Sequence, residues 1–134
     1  METFRVESVW IKSTPEKAFR YISDPKNLPY WTHAFKTVQN GKAFMATPAA
    51  TVEVDLEVKA SAYEGTIDWH MTFPDGNVAS AYSRLLPDST GQSIYSFVLM
   101  APPVSLEQLE GTLNRQAGIL REELAKLNAI LSGV

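Results

Sequence analysis

The chain has 134 residues, 45 % apolar and 20 % charged, with a formal net charge of -3; this describes one ordinary globular domain, residues 1–134, able to bury about two-thirds of its unfolded surface. Its 12 basic residues form no cluster and are outnumbered by 15 acidic ones, which removes the electrostatic basis for binding nucleic acid. The absence of cysteine excludes disulfides, thiolate catalysis and Cys-based metal sites, and suits a reducing cytoplasm.

The N-terminal METFRVESVW carries Glu2, Arg5 and Glu7 and lacks the apolar core of a signal peptide. No apolar run approaches the ~20 residues that span a bilayer, so no integral membrane segment is expected. Thr3 to Ile11 is predicted as a first strand. In the segment from Lys12 to Trp31, Ser13 or Thr14 can cap a helix, Pro15 suits its first position, and Ala18, Phe19 and Ile22 form its inward stripe. Asp24-Pro25 stops that helix and starts a second short helical turn. Phe35 to Gln39 and Lys42 to Thr47 are predicted strands joined by Asn40-Gly41, a hairpin signal because both positions tolerate positive φ. Thr51 to Ala60 alternates cleanly, with Val52, Val54, Leu56 and Val58 on one face and Glu53, Asp55, Glu57 and Lys59 on the other. Gly65 to Phe73, Val78 to Leu86 and Gln92 to Met100 complete seven strands, separated by turn residues at 74–77 and 87–91.

Pro102-Pro103 breaks the chain before a long helix capped by Ser105, with Glu107 and Gln108 in its first turn. Leu106, Leu109, Leu113, Ala117, Leu120, Leu124, Leu127 and Leu131 recur in steps of three and four, one continuous apolar stripe. Packing across the concave face of the sheet is the simpler use of such a stripe; pairing with a copy of itself as a coiled coil is the alternative.

The order of strand, two short helices, six strands and long helix resembles the START-like (SRPBCC) superfamily, which includes the polyketide cyclases and the Bet v 1 allergens. The residues carrying the resemblance are Ser13, Pro15, Glu16, Ala18, Phe19, Asp24, Pro25 and Trp31. It implies an α+β helix-grip fold, a curved seven-stranded antiparallel sheet around the last helix. It also implies a cavity between sheet and helix for a small hydrophobic, aromatic or amphipathic ligand. Self-association as a homodimer stays open.

Register assigns the cavity wall. If Phe73 pairs with Val78, Trp69 faces Tyr82 and Ile67 faces Arg84. Placing Tyr95 opposite Arg84 then brings Phe97 beside Tyr82, so Trp69, Tyr82, Arg84, Tyr95 and Phe97 are expected on the concave side. Leu113 lies above them, and Trp31 and Tyr30 are expected at the cavity mouth in such a fold or, alternatively, as a lid on the core. Arg84 cannot lose its charge, so it leaves through the open edge of the sheet, pairs with a structural carboxylate such as Glu110, at the edge of the stripe, or anchors a ligand anion. His70, Asp68 and Asp55 share the face of Glu53 and Glu57, expected to be solvated, which argues against a metal or general-base cluster. His33 follows Trp31 with no identifiable partner.

There is no GxSxG, GxGxxG, Walker-type loop or HExxH, and no cofactor is expected. Three functions remain. Fold-level analogy favours a carrier or sensor of a small hydrophobic ligand. The others are a cyclase or dehydratase acting by proton transfer and a protein-interaction module of the same fold.

Overall fold

In the computed structural model, which describes residues 3–46, 50–101 and 106–133, seven strands form one antiparallel sheet. These are β1 (Phe4–Ile11), β2 (Phe35–Gln39), β3 (Lys42–Ala46), β4 (Thr51–Ser61), β5 (Thr66–Thr72), β6 (Val78–Pro87) and β7 (Ser93–Met100). Helix α1 (Pro15–Ile22), a 3-10 turn (Pro25–Asn27) and α2 (Leu28–Trp31) follow β1, and α3 (Leu106–Ser132) ends the described chain. The sheet order β1-β7-β6-β5-β4-β3-β2 makes residues 35–100 an unbroken meander, with β1 added at its far edge beside β7. The predicted strands and helices are all present, within two residues at each end. The side chains of residues 106–110, Glu110 among them, and the expected cap at Ser105 lie outside the described residues.

Local chemistry sets the element ends. The Thr14 hydroxyl caps α1 by accepting from the Lys17 N–H at 3.4 Å, with Pro15 as the first helical residue. The Asp24 carboxylate accepts from the Lys26 N–H at 3.0 Å and starts the 3-10 turn. Asn40 and Gly41 both take positive φ, 53° and 76°, and close the β2–β3 hairpin as expected.

Two other turns are shorter than the sequence suggested, and they correct the register. Phe73 pairs with Asn77 through a 2.8 Å backbone bond and Asp88 with Gln92 through a 2.9 Å one. Each turn thus contains three residues, with Gly76 and Gly91 last and at φ 89° and 86°. A left-handed third residue is what allows a three-residue hairpin loop to close. Because side chains alternate with a period of two, each shortened turn reverses the face of the strand beyond it. Trp69 therefore faces Ala81 and not Tyr82, Ile67 faces Ser83 and not Arg84, and Tyr95 faces Leu85 and not Arg84. Tyr82 and Arg84 stand on the outer face. The two reversals cancel for β7, so Tyr95 and Phe97 remain on the inner face with Trp69.

Helix α3 runs in the same direction as β1 and beside it. Arg5 donates to Asn114 at 2.6 Å, Arg121 donates to Glu7 at 2.8 Å, and the Lys12 N–H donates to Asn128 at 3.0 Å. Its stripe of Leu113, Ala117, Leu120, Leu124, Leu127 and Leu131 is buried. Leu120 to Leu131 meet Ile11, Trp31, Val54, Ile67, Trp69, Leu85 and Tyr95 in a single core. The helix thus covers the sheet, as the single stripe implied.

Candidate functional site: the inner face of the sheet

Each strand contributes alternate residues to the wall facing α3: Val52, Val54, Leu56 and Val58 from β4, Ile67, Trp69 and Met71 from β5, Ala79, Ala81, Ser83 and Leu85 from β6, and Tyr95, Phe97 and Leu99 from β7. The wall divides along its length. At the end covered by α1, α2 and the last half of α3, Ile11, Ile67, Leu85 and Tyr95 are at most 4 % exposed. At the opposite end Val52, Met71, Phe73, Phe97 and Leu99 are only half-buried. Trp69, buried beside this shelf, marks the boundary.

The polar chemistry of this wall is a short chain. The Tyr95 hydroxyl donates to Ser83 Oγ at 2.8 Å, and Ser83 Oγ donates to the Ile67 carbonyl at 2.6 Å. Burial pushes the Tyr95 pKa up, against smaller opposing contributions from Ser83 and Trp69, so the phenol stays neutral and acts only as a hydrogen-bonding group. Phe97 meets the Tyr95 ring edge-on at 6.3 Å. The indole N–H groups of Trp69 and Trp31 are both buried and find no acceptor among the described residues. The proximity of Trp69 to Tyr95 lowers the phenol's pKa, but its Nε1 does not reach hydrogen-bonding geometry. An indole N–H only donates, so each of these groups stands open to one acceptor.

The structure brings Trp69, Tyr95 and Phe97 together on the inner wall, with Leu113 buried on α3. Trp31 is a correction: at 2 % exposure it plugs the closed end of the core and does not stand at an entrance, because α2 turns its ring inward while Tyr30 takes the surface. Arg84, exposed, donates from Nε to the Glu64 carbonyl at 3.2 Å. Tyr82 lies against His70 with ring centroids 6.1 Å apart. His70 Nδ1 and Ser80 Oγ are 2.8 Å apart, again on the outer side, and among the described residues no group of acidic and histidine side chains could hold a metal ion. His33 is exposed, and its backbone N–H donates to Glu123 at 2.7 Å; burial pushes the Glu123 carboxyl up, partly offset by that bond.

Sequence reasoning missed Ser83, which anchors Tyr95, and the half-buried shelf of Met71, Phe73 and Leu99. The alternation was there to find them, but only with the turn lengths known. Two surface clefts of about 320 and 350 Å³ lie elsewhere, one between α1 and the end of α3 and one over the outer side of β2 and β3. Among the described residues no helix is long and apolar enough to cross a membrane.

No family model matches the chain, and no curated protein matches it in sequence. Solved structures do. The protein XoxI from Bacillus cereus superimposes with a TM-score of 0.71 at 17 % identity, covering 97 % of this chain and 96 % of its own. A START superfamily protein from Mycobacterium smegmatis gives 0.63 at 14 % identity over 98 % and 96 %. The di-domain ARO/CYC BexL of the BE-7585A biosynthetic pathway gives 0.71 at 14 % identity, over 96 % of this chain and 46 % of that one, so the chain spans about half of BexL. With the seven-stranded sheet and covering helix already described, these likenesses give the chain the START-like helix-grip fold.

Proposed function

We propose that the inner face binds a small apolar or aromatic molecule bearing one hydrogen-bond acceptor, a carbonyl or a carboxylate. The observation that carries this is the Trp69 N–H, buried beside Tyr95 with no acceptor among the described residues. An unsatisfied buried donor costs about 1–3 kcal/mol, and a ligand acceptor placed there removes that cost. The half-buried shelf of Val52, Met71, Phe73, Phe97 and Leu99 offers apolar area for the rest of such a molecule. Trp69, Tyr95, Phe97 and Leu113 are its proposed contacts. Tyr95, held neutral and already donating to Ser83, suits orientation of that ligand and not proton transfer.

Titration of tryptophan emission with paired ligands tests this, each pair consisting of an aromatic or fatty acid and its acceptor-free hydrocarbon. Trp69→Phe is expected to weaken the acid by about 2- to 12-fold, the equivalent of a net hydrogen bond, and to leave the hydrocarbon within about two-fold. Equal losses for both would reduce Trp69 to packing, and no binding to the wild type by any member of the panel would overturn the reading.

A further inference from the structure

The sheet's other face breaks the rule that polar residues point outward. On β1, Arg5 and Glu7 point inward to α3, whereas Phe4, Val6 and Trp10 point outward and are 51 %, 48 % and 50 % exposed. Their neighbours across the ladder extend the inversion. Phe4 lies opposite Met100, Val6 opposite Val98 and then Tyr82, and Trp10 opposite Ile94 and then Leu86. An antiparallel sheet with one wet face keeps apolar residues on the covered side, so this region has the composition of a second covered side.

We infer that two copies of this chain pack their outer faces together, β1, β7 and β6 of one against the same strands of the other. Three observations select a second copy as the occupant. Phe4, Val6, Trp10, Tyr82, Ile94 and Met100 expose between 37 % and 51 % of their surface. That is on the order of 600 Å² of nearly continuous apolar area, the upper end for a monomer's largest patch; with the serines between, it approaches the roughly 800 Å² per partner of a stable interface. The outer side of these three strands carries Arg84, at the β6 rim, which donates to the Glu64 carbonyl, and at its end meets Asp88, whose carboxylate accepts the Trp10 indole N–H at 2.7 Å and is held down to about 2 chiefly by that bond. The two charges are of opposite sign and each is already hydrogen-bonded within its own chain, so the patch carries no net charge to repel its own copy. The outer side of β4 presents Glu53, Asp55 and Glu57, which disfavours an anionic lipid surface and lies clear of the proposed contact. Sheet faces of this kind stack on each other about 10 Å apart, which supplies the geometry for a two-fold sandwich between chains.

Light scattering across roughly 1–500 μM tests the inference. The wild type is expected at twice the chain mass of 14.9 kDa, with emission from Trp10 shifting to the blue as the dimer forms. Val6→Glu with Met100→Glu should return it to the single-chain mass with an unchanged circular dichroism spectrum. The milder Val6→Thr with Met100→Gln should weaken association at least ten-fold if the charged pair fails to fold. Glu53→Lys, on the same face but outside the patch, should leave the mass unchanged. A wild type that stays at 14.9 kDa throughout, or a dimer that survives the patch substitutions, overturns the inference. A monomer that floats with phosphatidylcholine vesicles overturns it in favour of a lipid surface.

Discussion

Gly65 carries more constraint than any other described glycine. Its φ is +77°, its carbonyl accepts the Leu85 N–H at 2.7 Å, and a Cβ built on it would stand 2.2 Å from the Leu85 carbonyl oxygen. Left-handed backbone alone costs a residue with a side chain about 1–3 kcal/mol, and here a backbone collision adds to it. Gly65→Ala is therefore expected to lower stability by more than about 2 kcal/mol, whereas Gly76→Ala, also at positive φ but with open space around it, should cost no more than the backbone strain. Denaturant unfolding of the two variants side by side checks this, and equal losses would show that the close approach to Leu85 is absent. Glu123 makes the opposite kind of prediction. Its folded pKa is raised above the usual 4.5, chiefly by burial, so the charged form is disfavoured in the folded state. The cost is absent below 4.5, grows as pH rises towards the folded value, and is fully present above it. Glu123→Gln keeps an oxygen for the His33 N–H, so it should raise the melting temperature near pH 7.5 and match the wild type near pH 4. A variant that melts lower near pH 7.5 but not near pH 4 would show that the carboxylate's charge is needed and overturn the prediction.

At the scale of elements, the stripe of α3 makes a sharp contrast between neighbours. Leu120 is 4 % exposed and Ile119 is 36 % exposed, so Leu120→Ala should cost on the order of 2–5 kcal/mol through lost burial and the cavity left behind, with Ile119→Ala far milder. Unfolding midpoints that move equally would show that the helix is rotated from the described position. Elements are also where the sequence was most readable and where it misled. Alternation in Thr51–Ser61 and the leucine spacing of α3 identify their structures almost to the residue, because one face of each is buried and periodicity records that burial directly. The site wall was half legible. Alternation puts Tyr82 and Arg84 on the wrong face through one residue in the length of the turn after Phe73, and Tyr95 and Phe97 join Trp69 only because the turn after Asp88 is shorter by one residue as well. The signal was present in Pro74-Asp75-Gly76 and Ser89-Thr90-Gly91, where glycine in third place marks the left-handed residue of a three-residue loop. Burial of Trp31 was not legible, since nothing in a four-residue helix says which way its last side chain turns.

Across the whole molecule, the two faces of one sheet offer separate surfaces, one towards α3 for a small ligand and one outward for a second chain. Their proposed roles are tested by different variants and need not stand or fall together. The connection that makes this arrangement also orders its assembly. From β3 to β7 every strand pairs with its immediate predecessor in the chain, so those contacts close over short loops. The pairing of β1 with β7 joins Phe4 to Met100, and α3 then lies along β1. Long loops close late because their entropy must be lost before their contacts form. On this topology β1 and α3 are the final seam of the folding reaction. That seam is also the natural place for native-state breathing: α3 would lift from the half-buried shelf as a unit while the meander beneath it stays paired, and a protein assembled in this order would uncover its inner face by retracing its last folding step.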